Sequence, residues 1–126
     1  MSTLNLIWSK ESDSSIAIVD GRIDSSNITE FESELASGLS SEDTGFMMDL
    51  THITFMSSAG LRVILQFANI FAPPKTFSIY GLSNSMKEIF KISGLDQVVN
   101  VYQTKEQALT ALKLERANSP GQVVKH

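Results

Sequence analysis

The chain has 126 residues and no cysteine, with ten basic and fourteen acidic side chains giving a formal charge of −4. One domain is the natural expectation at this length, and such a chain buries roughly two-thirds of its unfolded surface without staples. The cysteine count excludes disulfides, thiolate metal sites and cysteine nucleophiles, and the acidic balance argues against a nucleic-acid binder, which needs a basic face.

Residues 4–9, LNLIWS, alternate apolar and polar, as a half-buried strand does. KESDSS then reads as a turn and IAIV, 16–19, as a second strand, so 4–19 is expected to form a hairpin. Asp20-Gly21 and Asp24-Ser25-Ser26-Asn27 punctuate the chain. Ile28, Phe31, Leu35 and Leu39 recur at helical spacing, with Asn27 or Ser26 as cap and Glu30 completing an approximate capping box. GFMMDL, 45–50, is an apolar strand that THITFM extends to Met56. A helix follows from Ser57 and stops before Pro73-Pro74.

TFSIYG, 76–81, predicts another core strand. Met86, Ile89, Phe90 and Ile92 mark a short helix that Gly94 closes. VVNVY, 98–102, predicts a last strand, and Thr104 caps a final helix to about Arg116 with Ala108, Leu109, Ala111 and Leu112 inward. The order β-β-α-β-α-β-α-β-α implies a mixed α/β sheet with an antiparallel hairpin edge, parallel strands after it and about four helices. The expected domain is 1–116, with 117–126 a flexible tail.

Residues 61–72, LRVILQFANIFA, are too short and too interrupted to span a bilayer. The N-terminus lacks the pattern of a signal peptide, so a cytoplasmic location is expected. Residues 10–44 hold nine acids and two bases, and residues 45–126 five acids and eight bases. One end is therefore acidic and the other mildly basic.

The most informative stretch runs from Asp49 to Leu65. A strand enters a helix through Ser57-Ser58-Ala59-Gly60. Ser57 is placed as the N-cap, its hydroxyl expected to accept from the N–H of residue 59 or 60. Gly60 costs roughly 1 kcal/mol against alanine inside a helix, so something must approach it closely. That neighbour is either a strand of the same domain or the backbone of a partner.

This stretch resembles the signature of the STAS domain, the fold of bacterial anti-sigma factor antagonists. Asp49-Leu50 matches its start, Phe55-Met56 its aromatic-hydrophobic pair and Gly60-Leu61 its end. Ser57 stands where the family has aspartate, and Ala59 where it has serine or threonine. Gly21-Arg22-Ile23-Asp24 and the segment from Met86 to Ser93-Gly94-Leu95 match two further family segments, so the resemblance covers about residues 4–114.

The resemblance implies a binding regulator with no catalytic role, no cofactor and no metal. Ser58 falls on the family's phosphorylated serine, with Ser57 as the alternative. The partner surface implied is Asp24, Ser57, Ser58, Ala59, Gly60 and Arg62. The implied partner is an anti-sigma serine kinase that binds the unmodified form, with a phosphoserine phosphatase to reset it. ATP belongs to the kinase.

A helix amino end tolerates an anion, so phosphate on Ser58 is expected to spare the fold and to repel a partner that would have to bury it. Asp24, expected nearby, adds to the repulsion. The other reading is an unswitched structural subunit of a bacterial lipid transporter, bracing its ATPase. No nucleic acid or membrane contact is expected, and the protein is expected to be a monomer or weak dimer.

His52 and His126 make no site. His52 is expected on the surface and His126 in the tail. There is no Gly-x-Ser-x-Gly elbow, P-loop or receiver-type acid cluster. Phe31, Phe55, Phe67, Phe71 and Phe90 are expected in the core. Trp8, on an edge strand, is expected half exposed and available to a dimer.

Overall fold

The structure is a computed structural model that describes residues 4–11, 14–40 and 42–117. Five strands form one sheet in the order β1-β2-β3-β4-β5. They are β1 (Leu4–Glu11), β2 (Ser14–Ile23), β3 (Gly45–Met56), β4 (Thr76–Tyr80) and β5 (Asn100–Tyr102). β1 runs antiparallel to β2, and every later pairing is parallel. The helices are α1 (Ile28–Gly38), α2 (Ser58–Ile70), α3 (Asn84–Ser93) and α4 (Lys105–Ala117). The expected mixed sheet with its antiparallel edge is therefore the observed one.

Strand alternation divides the side chains between two faces. Ala17 and Val19 of β2, Phe46, Met48 and Leu50 of β3, and Phe77 and Ile79 of β4 meet Phe31 and Leu35 of α1, Val63, Ile64 and Phe67 of α2, and Met86 and Phe90 of α3. Phe46 stands at the centre of this core, with Phe67, Phe71 and Phe77 ring centroids 6.1, 5.5 and 5.2 Å away. On the other face Ile16, Met47 and Tyr80 pack under Ala108 and Leu112 of α4. Three helices cover one face and a single helix covers the other.

Several expectations need correction. β2 runs straight through Asp20-Gly21 to Ile23, because Gly21 takes a φ of 113° at a bulge that keeps the strand paired. The hairpin ladder includes Lys10↔Ser15 and Glu11↔Ser14, so these residues belong to strands and not to a turn. Asn27 precedes α1 without capping it. Its side chain instead accepts from the Asp24 N–H and donates to the Arg22 carbonyl, at 3.0 and 2.8 Å. Leu39 lies just past the end of α1, in extended conformation.

Ile92 is 81% exposed on α3, whose buried residues are Met86 and Phe90, and Val98 is 59% exposed, following a 3-10 turn at Leu95–Gln97 before β5 begins. Trp8 is half-buried, as expected of it. Its ring stacks on Phe46 at 6.1 Å and lies over Gly38, where any β-carbon would collide with the indole.

Other expectations hold. Gly94 ends α3 in the left-handed region at φ 81°. Thr104 Oγ1 accepts from the Gln107 N–H at 3.1 Å. The tail expectation and His126 lie outside the described residues. Among the described residues no helix is long and apolar enough to cross a membrane.

At the amino ends of the parallel strands, Asp43 is buried and clasped. It accepts from Lys10 Nζ and from the Ser40 N–H, each at 2.8 Å. Burial pushes its pKa up, but the Lys10 and Ser40 hydrogen bonds outweigh this and hold the carboxyl below its ordinary value. The clasp ties β1 to the loop that enters β3.

Candidate functional site

The site lies at the opposite end of the sheet, where β2 and β3 outrun their neighbours. β3 pairs with β4 only as far as Asp49, yet it pairs with β2 as far as Met56. Twice along this overhang β3 advances one residue more than β2, between Ile18 and Asp20 and again between Gly21 and Arg22. Each extra residue turns the following side chains over. Ile53 and Met56 therefore both point inward, and Thr54 and Phe55 point out. Phe55 is 42% exposed and is not a core residue as the sequence suggested. The Arg22 guanidinium covers one face of its ring at 4.6 Å. His52 is exposed, as expected.

Ile23 and Met56 are the last register partners, and the Ser57 N–H donates to the Ile23 carbonyl at 2.8 Å. Asp24 and Ser58 each follow one residue after that hydrogen bond, so they leave the sheet side by side. Asp24 accepts from the Ser26 N–H at 3.0 Å and from its hydroxyl, and Arg22 Nε lies 3.4 Å away. The Ser26 hydrogen bonds, followed by Arg22, hold its carboxyl below the usual carboxylate range. A fixed negative charge therefore borders the site.

Ser57 occupies the N-cap position with extended backbone, but its side chain makes no capping bond. The expected hydrogen bond to residue 59 or 60 does not form. Among the described residues the Ser57 hydroxyl oxygen is buried without a partner. Ser58, the first residue of α2, is exposed, and Ala59 is half-buried.

Gly60 is buried. A β-carbon there would stand 2.6 Å from Met56 Cγ and 2.9 Å from Ile23 Cγ2. The neighbour that Gly60 admits is thus the protein's own strand pair, and the outward surface of the first turns consists of Ser58, Ala59 and the exposed Arg62.

A feature not anticipated from sequence adjoins Ser58. A groove of about 380 Å³ is lined by Ser58, Leu61, Arg62 and Leu65 of α2 and by Ser93, Gly94, Leu95 and Val98. Leu65 and Val98 are 38% and 59% exposed. Ser58, Leu61 and Leu65 do form a legible stripe beside the core stripe of α2. The opposite wall was hidden because Val98 reads as a strand residue. Among the described residues no three His, Asp or Glu side chains gather as metal ligands would.

The bulged, overhanging strand pair thus delivers an exposed serine to the first turn of α2. The STAS domain family model matches residues 9–108, and the chain belongs to that family. It is 31% identical over 99 residues to BtrV of Bordetella bronchiseptica, named as a candidate anti-sigma factor antagonist, covering 78% of this chain and 85% of BtrV. An anti-sigma factor antagonist from Mycobacterium paratuberculosis superposes with a TM-score of 0.81 at 20% identity, covering 87% of this chain and 94% of the other. SpoIIAA of Bacillus in its phosphorylated form superposes at 0.64 with 16% identity, covering 86% and 99%. At these identities the two structures speak for the fold alone.

Proposed function

We propose that this protein is an anti-sigma factor antagonist, a binding regulator that captures an anti-sigma serine kinase while Ser58 is unmodified. The observation that carries the reading is the contrast between adjacent serines. The Ser58 side chain is open to solvent, whereas the Ser57 hydroxyl is buried. Ser58 is therefore the phosphorylation site proposed, and Ser57 is set aside. The name of BtrV supports the same reading.

The chemistry lies outside the domain. The γ-phosphoryl group of ATP passes to Ser58 Oγ, which gives up its proton as ADP leaves. A phosphatase returns the serine and inorganic phosphate by hydrolysis. The product carries about −1.5 to −2 charges, and the amino end of α2 tolerates them. A partner covering Ser58, Ala59 and Arg62 would have to bury that charge beside Asp24, which is strongly unfavourable. Gly60 shapes this surface from beneath.

The test is to incubate the protein with ATP and the serine kinases encoded in its own genome, and to map phosphate by mass spectrometry. Phosphate on Ser58, absent from Ser58→Ala, is the expected result. No phosphate, together with stable copurification with a transporter ATPase, would replace this reading with the bracing one.

A further inference from the structure

One turn of α2 separates Ser58 from Arg62. Side chains four residues apart on a helix stand over one another, and both line the groove beside α2. Arg62 is exposed, and among the described residues it makes no ion pair. Its helix neighbours three and four residues away are Ser58, Ala59, Leu65 and Gln66. None is a carboxylate, and Ser58 is the one that a kinase can make anionic. The rest of the groove lining carries no charge, so the guanidinium stands alone on an apolar wall.

We propose that Arg62 is the intramolecular counter-ion of phosphorylated Ser58, so that modification withdraws a cation from the partner surface as well as adding an anion. The proposal rests on the reading of Ser58 as the modified residue. The order favours the pair, because an anion four residues before a cation is the better orientation on a helix. The planar guanidinium fork can take two phosphate oxygens at once. In the unmodified protein Arg62 remains available. With Leu61, Leu65, Leu95 and Val98 it presents an apolar surface bearing one positive charge. That surface suits a partner segment with apolar side chains and a carboxylate, and the partner loses its ion pair when the phosphate takes the guanidinium.

Phosphoserine placed at position 58 during translation tests this without a kinase. The phosphate is titrated by phosphorus NMR in the full chain and in chains carrying Arg62→Gln or Arg62→Lys. Pairing lowers the second ionisation of the phosphate, so Arg62→Gln is expected to raise its midpoint by about half a pH unit. Arg62→Lys should fall between, since an ammonium keeps the charge without the fork. Equal midpoints for wild type and Arg62→Gln would overturn the proposal. Arg62 is exposed, so neither substitution disturbs packing. A shifted midpoint in a protein that no kinase modifies would leave the pairing standing and end the switch.

Discussion

Gly60 is seated against Met56, with room between helix and strand for a hydrogen but not for a methyl group: an added β-carbon would lie 2.6 Å from Met56 Cγ. Ile23 Cγ2, at 2.9 Å, closes the other side. Gly60→Ala gains about 1 kcal/mol of helix propensity and loses about 1–3 kcal/mol to overpacking. The net expectation is a lower urea midpoint. The first turn of α2 should shift outward to relieve the contact, so binding of the proposed kinase should fall too. A variant about 1 kcal/mol more stable than wild type would show that Met56 yields without strain.

Ser57 gives the opposite expectation from the one its position suggests. A capping serine replaced by alanine costs about 1 kcal/mol. Here the hydroxyl makes no capping bond and is buried without a partner, so removing it relieves an unsatisfied polar group. Ser57→Ala should match or exceed the wild-type urea midpoint. A loss of about 1 kcal/mol would mean that the hydroxyl caps the helix in solution.

The element order was legible because apolar period and turn residues agree along most of the chain, and because Gly94 and Thr104 do what their residue types favour. What escaped was set by neighbours distant in sequence. Nothing local in ITFM says that β3 carries an extra residue against Gly21-Arg22, yet that bulge sends Phe55 outward and Met56 inward. Asn27 looks like a helix cap, but the Arg22 carbonyl and the Asp24 amide claim its side chain. At the site, Ser58 and Arg62 were marked by the resemblance to the family signature. Whether Gly60 admits a partner or its own strand pair depended on where Ile23 and Met56 end. The second wall of the groove was invisible because Val98 and Val99 have strand composition while the chain there is still leaving a 3-10 turn.

Asp43 carries a pH prediction. Burial opposes its ionisation, but the Lys10 and Ser40 hydrogen bonds prevail and its folded pKa lies below the ordinary value of 3.8. A carboxyl depressed in the folded state stabilises above the unfolded pKa, and that stability is lost as pH falls through the folded pKa. The stability gap between wild type and Asp43→Asn should therefore be constant from pH 8 to about 5 and narrow below about pH 4. At neutral pH it should be about 1–3 kcal/mol, the scale of losing a charged hydrogen-bonding group. A gap that persists undiminished in acid would assign the clasp to shape and not to charge.

Charge at position 58 separates binding from folding. Ser58 is exposed at the positive end of α2, so Ser58→Asp adds an anion where the helix dipole accepts one. Its melting temperature should stay within about 2 °C of wild type. The same carboxylate, beside Asp24, has to be desolvated when the proposed kinase docks, and affinity should fall at least about tenfold, or roughly 1.4 kcal/mol. Ser58→Ala carries no charge, so it should bind at close to wild-type affinity and resist release by ATP. Calorimetry of the three proteins with the kinase decides the matter. Equal affinities for Ser58→Asp and wild type would mean that the partner covers some other surface, and Ser58→Asp melting well below wild type would mean that the helix tip does not shelter the charge.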